Sequence, residues 1–160
     1  MRKSLLLLLF VFGFICCDPD SETITGEVVS VADGDTFTMK TYTNERIKIR
    51  LYGIDAPERG QDYGTKSREF LNDLCYGKTV EIKVMGIDQY DRTLGVVYVD
   101  GENVNEKMVR EGLAWYYSHF VNDSRLDSLE QLARKEKLNI WSMKNPVPPY
   151  QFRQSQRLNN

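Results

Sequence analysis

From Arg46 to Leu51 basic and apolar residues alternate one by one, RIKIRL, and that alternation admits few folds. A period of two places Ile47, Ile49 and Leu51 on one face of a strand and Arg46, Lys48 and Arg50 on the other. One face must cover a core while the other meets water or a charged ligand. Upstream, ITGEVVSVA is rich in β-formers, but Gly26 and the adjacent Val28 and Val29 break the alternation, as at a bend or bulge. Asp33-Gly34 signals a tight turn, Thr36 to Tyr42 resumes as strand, and Thr43-Asn44-Glu45 turns the chain again.

Beyond Pro57 the pattern changes period. Phe70, Leu71 and Leu74 lie at helical spacing within Tyr63 to Cys75, and Gly77 marks the stop. Thr79 to Ile87 and Leu94 to Val99 read as a fourth and fifth strand, separated by the polar loop Asp88 to Arg92. Val104 to Glu111 reads as a short helix ended by Gly112. Asp123 or Ser124 caps a last helix reaching about Lys137, expected to bury Leu126, Leu129, Leu132 and Ala133. The prolines of NPVPPYQF predict an extended surface segment leading into a polar tail, residues 151–160. Three strands, a helix, two strands and further helices suit an OB-type barrel. Periodicity by itself leaves a ferredoxin-like or sandwich arrangement open.

The first 17 residues differ from the rest. Arg2 and Lys3 precede an apolar run, Leu5 to Ile15, too short for a stable membrane span and suited to an export leader. Cys16 and Cys17 follow it directly, as in bacterial lipoproteins, so the expectation is an exported protein anchored through lipid on Cys17 or Cys16, facing the periplasm or cell exterior; ordinary cleavage would instead release it as a secreted protein. Two of the 21 basic residues lie in this leader, which leaves 19 against 23 acidic side chains, a net charge of −4. A polyanion ligand would then have to be held by locally placed arginines or a bound cation, since the overall field opposes it. Cys75, the remaining thiol, has no disulfide partner and reads as a small apolar residue near a helix end. The one histidine, His119, argues against sites built on several His ligands.

The stretch from Val31 to Glu58 carries acidic groups at both ends, Asp33 and Asp35 at the start and Asp55 and Glu58 at the close, with Arg50 on the returning strand. Carboxylates suit a hard cation, and a guanidinium fork suits phosphate oxygens. Taken singly these residues mean little. An Asp-Gly-Asp is most often a hairpin turn, DAPE alone is a capped turn, and Arg92 alone is surface charge. Their combination on one barrel end points to hydrolysis of a phosphodiester.

VADGDTFTMK, IRLYGIDAPE, DQYDRTLGVVYVDGENVNEKMVREGLA and ARKEKLNIW resemble the staphylococcal (micrococcal) nuclease family, in order and spacing, over roughly residues 24–142. The resemblance implies a mainly β, α+β fold: a five-stranded OB barrel with three α-helices, occupying residues 18–150. It implies a monomeric, Ca2+-dependent nuclease that cuts DNA and RNA and leaves 3′-phosphate ends. By motif, Asp35, Asp55 and the backbone carbonyl of Ala56 would bind calcium, and Glu58, Arg50 and Arg92 would be catalytic. Asp33 would be a supporting acidic neighbour. At position 56 the best-studied member has Thr, a difference to which a carbonyl ligand is indifferent. The family's pair of pocket tyrosines is out of step with WYYSHF, so stacking on bases would fall to Tyr116 and Tyr117, or to Trp115 or Phe120. The rival expectation is a non-catalytic nucleic-acid-binding barrel at the cell surface, a class in which the acidic and arginine positions are typically lost.

Overall fold

The computed structural model describes residues 22–158; the leader and both candidate lipidation cysteines, Cys16 and Cys17, lie outside the described residues. In chain order the elements are β1 (Thr23–Asp33), β2 (Thr36–Lys40), β3 (Arg46–Leu51), β4 (Ile54–Asp55), α1 (Gly64–Cys75), β5 (Thr79–Ile87), β6 (Thr93–Val99), β7 (Glu102–Asn103), α2 (Val104–Arg110), β8 (Trp115–Tyr116), α3 (Ser124–Lys135), a 3₁₀ turn (Asn139–Ser142) and α4 (Pro149–Leu158).

Five strands run in the order β3-β2-β1-β5-β6, and a parallel pairing of β3 with β6 closes them into the expected barrel. The alternation of β3 is realised: Ile49 and Leu51 are buried, while Arg50 points to the other face, half-buried. Phe37 and Met39 of β2 fill the same interior, with Val28, Ile82, Val97 and Met108. The broken pattern of β1 corresponds to two slips in its register with β2, between Val28 and Ser30 and between Val31 and Asp33. Gly26 is required where β1 crosses β2, because a Cβ there would stand 2.7 Å from the Lys40 carbonyl oxygen.

Where barrel closure leaves polar backbone exposed to the core, Asn105 of α2 satisfies it. Its Oδ1 accepts from Val97 N (3.0 Å), and its Nδ2 donates to Tyr52 O (2.8 Å) and Gly95 O (3.2 Å). One amide thus ties β6, the exit of β3 and α2 together. Cys75 is buried in the core beneath α1, and burial pushes its thiol up to about 12, as befits a packing residue.

Two helices differ from expectation. In α3 the buried residues are Leu126, Leu129, Glu130 and Ala133, whereas Leu132 is 44% exposed. At 100° per residue, position 130 shares the face of 126 and 133 and position 132 does not; the apolar character of Leu132 outweighed its phase. Glu130 is kept inside by Tyr116 N (3.1 Å) and Arg134 Nε (3.1 Å), with burial still holding its carboxyl above the usual range. Asp123, through Oδ1, is the α3 cap. The second difference is α4: Pro149–Leu158 is helical where an extended, polar tail is predicted, and it adds a fourth helix to the three expected. Pro149 is the first helical residue, a position that needs no N–H, and Pro148 O accepts from Gln151 N and Phe152 N. The prolines start this helix rather than forbid it.

Replacing Asn105 by Ala removes the side-chain partner of Val97 N and Tyr52 O at the barrel seam, while Gly95 O keeps its bond from Tyr52 N. The expected loss is about 2–3 kcal/mol of unfolding free energy, read by urea denaturation.

Candidate active site

The β1–β2 turn delivers the first carboxylate. Gly34 packs so tightly against Ser67 of α1 and Ala56 that a side chain there would collide with both. Asp35, next in sequence, is 3% exposed and fully engaged. Its Oδ1 accepts from Thr36 Oγ1 (2.9 Å) and Arg50 Nη1 (2.6 Å), and its Oδ2 accepts from the amide of Ala56 (3.0 Å). A hairpin turn, the strand after it and the DAPE loop therefore converge on one carboxylate.

β3 supplies Arg50 from the face its alternation predicts. The second nitrogen of the guanidinium, Nη2, donates to Asp55 Oδ1 (2.9 Å). Asp35 and Asp55 are thereby held one guanidinium width apart. Gly53, at φ +76°, turns the chain between Arg50 and Asp55, and the short β4 then pairs with β8, Asp55 opposite Trp115. Trp115 and Tyr116, the start of WYYSHF, thus form the strand that holds Asp55 in place. Glu58 lies just beyond, its side chain 34% exposed, its amide donating to Gln61 Oε1 (3.1 Å).

Barrel closure brings in the last sequence-predicted arginine. Arg92 immediately precedes β6, whose parallel pairing aligns Arg50 with Leu94. Asp88 grips Arg92 through Nε (2.8 Å) and Nη2 (2.7 Å), while Nη1 reaches towards Thr36 Oγ1 (3.4 Å). Burial pulls Asp88 upward, but hydrogen bonds from the Arg92 side chain and from the Arg92 and Tyr90 amides together outweigh it and hold the carboxyl below its usual range. Arg92 is thus a positioned cation on the rim that carries Asp35 and Arg50.

A further arginine, unanticipated from sequence, completes the cluster. Arg153 of α4 donates from Nη1 to Asp55 Oδ1 (3.0 Å) and Glu58 Oε1 (2.6 Å), and from Nη2 to Asp55 Oδ2 (3.1 Å). Reading PVPPYQFR as a proline-started helix is the only signal that could have drawn it out; nothing local relates it to residues nearly a hundred positions earlier.

The aromatic residues divide by role. The Tyr116 hydroxyl donates to Val121 O (2.6 Å) and accepts from Asp123 N (2.8 Å), which ties that ring to the entry of α3. Tyr117 stacks at a tilt on Phe120 (4.7 Å) and edge-on to His119 (6.4 Å), and His119 meets Tyr150 of α4 (5.5 Å). Tyr117, His119 and Tyr150, with Trp115 and Tyr116, line a cavity of about 200 Å³ that opens beside Asp55. A larger groove of about 570 Å³ along α1 contains none of the site's carboxylates or arginines.

Charge is concentrated here. Burial, reinforced by the neighbouring Asp35, raises Asp33 to about 7, and burial likewise raises Asp55 against the pull of Arg153 and Arg50. Among the described residues no group of three or more His, Cys, Asp or Glu side chains is arranged to hold a metal ion. Asp35 and Asp55, converging on one guanidinium, nevertheless bring together hard oxygen donors of the kind a divalent cation takes. The residues fit such an ion.

A carboxyl raised in the folded state keeps its stabilising share below the unfolded value of 3.8 and loses it as pH rises towards about 7. Asp33→Asn, measured in chelator, is expected to stabilise the protein by about 1–2 kcal/mol at pH 8 after discounting for its partial exposure, with the gain shrinking as pH falls through that window. Thermal melts from pH 4 to 8 read this out.

Comparison with known proteins agrees with the geometry. Residues 48–143 match the family described as "Staphylococcal nuclease homologue". A protein of Escherichia coli O157:H7 named "Uncharacterized endonuclease" is 44% identical over 156 residues, covering 96% of this chain and 98% of the relative. One of the same name from Haemophilus influenzae is 39% identical over 158 residues, 99% of this chain and 89% of the relative. A "Micrococcal nuclease" of Shigella flexneri is 36% identical over 143 residues, 82% of each chain. With the barrel, the matched segment and these near full-length relatives in agreement, the chain belongs to the staphylococcal nuclease homologue family.

Proposed function

We propose that this chain is a calcium-dependent nuclease that hydrolyses phosphodiester bonds of DNA and RNA and leaves 3′-phosphate ends. The observation that carries the reading is the single guanidinium of Arg50 bridging Asp35 and Asp55, with Glu58 and Arg92 on the same rim. Nuclease relatives and family membership support the reaction class.

Asp35, Asp55 and the Ala56 carbonyl would hold the calcium ion, which supplies Lewis-acid polarisation of the phosphate when bound. Arg92 would offer its loosely held Nη1 to a non-bridging phosphate oxygen, and the positive charge of Arg50 beside it would help offset charge as the phosphorus gains a fifth oxygen. Arg92 is pre-oriented for this by Asp88, which spares it the entropy of ordering. Glu58, half-buried and paired through Oε1 with Arg153, would take a proton from the attacking water or orient it. Water oxygen bonds to phosphorus, the bond to the 5′ oxygen breaks, and that oxygen leaves with a proton. The cavity beside Asp55 is of a size for one base, with Tyr117 as the stacking ring; Tyr116, bound through its hydroxyl, shapes the wall. The protein would act as a monomer, outside the cytoplasm, held at a membrane by lipid on Cys17 or Cys16 or else secreted.

Incubation of denatured DNA and of RNA with the protein in calcium, magnesium or chelator tests the proposal. Calcium-dependent cleavage with 3′-phosphate ends is expected; a folded protein that binds nucleic acid and cuts under no metal would make it a binding barrel instead. Glu58→Ala and Arg92→Ala are each expected to lower kcat by about 10²–10⁴-fold with an unchanged circular dichroism spectrum. Cys17→Ser is expected to move the protein from the membrane to the soluble fraction; continued sedimentation with membranes would point to Cys16.

A further inference from the structure

α4 returns over the carboxylate cluster and contributes one side chain to it. Asp55 is 1% exposed, and both of its oxygens are occupied: Oδ1 by Arg50 and Arg153, Oδ2 by Arg153. The same Arg153 nitrogen that meets Asp55 Oδ1 also meets Glu58 Oε1. This fork is therefore not a loose surface pairing; it bridges Asp55 of the proposed cation site and Glu58, the proposed acid-base residue.

The helix carrying Arg153 is fastened at its start. Gln61, which also accepts from the Glu58 amide, donates through Nε2 to Val147 O (2.6 Å), Pro149 is buried, and Tyr150 packs on His119. Gln61 thus links the loop of Glu58 to the approach of α4. These contacts hold the base of the helix and deliver the guanidinium to a defined point.

A divalent cation and a guanidinium are both donors of positive charge to carboxylate oxygens, and the two cannot share the same lone pairs. Of the two arginines on Asp55, Arg50 is the less free to yield. It sits on β3, paired on both sides by β2 and β6, with its side chain 14% exposed, and also holds Asp35, whereas the Arg153 side chain, on the last helix, is 33% exposed. Arg153 has solvent behind it into which its head can withdraw.

We propose that Arg153 is a further positioning residue of the active site, a guanidinium that stands in for the cation: it holds Asp55 and Glu58 together before a divalent ion binds, and releases Asp55 when one does. Two consequences follow from charge alone. Cation binding works against a resident competitor, so its apparent affinity is lower than the oxygen ligands by themselves would give. The release of Asp55 leaves Glu58 as the remaining carboxylate partner of Arg153, so the same side chain orients Glu58 during turnover.

The proposal rests on the cation site of the preceding section, and calcium titration of the intact chain by isothermal calorimetry, without nucleic acid, separates the two. Arg153→Gln is expected to bind calcium about tenfold more tightly than the wild type, with Arg153→Lys in between, because lysine keeps the charge but not the fork. In cleavage assays at saturating calcium, Arg153→Gln is expected to lower kcat with little change in KM, through loss of the hold on Glu58. A purely structural role for α4 would leave calcium affinity unchanged or weaken it, and either result in a folded Arg153→Gln protein overturns the proposal. Near-UV circular dichroism of Trp115 and Trp141 checks the fold, and Arg153→Lys provides the second variant if Arg153→Gln unfolds. Absence of calcium binding in wild type and variant alike would instead overturn the cation site itself, and this proposal with it.

Discussion

The parallel pairing of β3 with β6 is the constraint on which the rest depends. It removes the two free edges of a five-stranded sheet, and it sets β3 beside the start of β6 so that Arg50 and Arg92 come to one rim. An antiparallel meander left open would keep its hairpins and lose the site. The seam is costly because parallel closure at an angle leaves backbone groups short of partners; Asn105 supplies them from α2. Core stability and site geometry thus share one buried amide.

The second constraint is electrostatic. Asp33, Asp35, Asp55 and Glu58 are gathered where at least two are deeply buried, and a protein of net negative charge gives no relief at long range. Arg50, Arg92 and Arg153 provide it locally, each with a different degree of freedom. Arg50 is locked between two carboxylates, Arg92 is aimed by Asp88, and Arg153 arrives on a terminal helix. Burying carboxylates opposes folding, and the raised carboxyls of Asp33 and Asp55 record mainly that burial, with repulsion from Asp35 added to it.

Local pattern carried a large part of the architecture. The alternation in RIKIRL settled the inward face of β3 and the outward aim of Arg50, and the valine doublet in β1 located its bulge. The Asp33-Gly34 signal located the first turn to within one residue: Asp33 ends β1 opposite Thr36, and Gly34 and Asp35 form the turn itself. Failures arose where one residue's character competed with its phase or position. Leu132 is apolar but stands off the buried stripe, and Glu130 is charged but lies on it, held by partners from β8 and its own next turn. In PVPPYQFR the prolines suggested extension, yet Pro149 occupies the one helical position where its missing N–H is harmless.

Residue order by itself located the five barrel strands and the first three helices and marked Asp35, Arg50, Asp55, Glu58 and Arg92 as candidate site residues, because periodicity, turns and short motifs are written within a few residues of each other. Only tertiary structure decided which of these groups touch. The convergence of Asp35 and Asp55 on one guanidinium, the pairing of β4 with β8 that holds Asp55, and the placement of Arg153 across Asp55 and Glu58 join segments separated by up to 98 residues. Such contacts are set by barrel closure and by the packing of α4, and the charges they bring together leave no periodic trace in the chain.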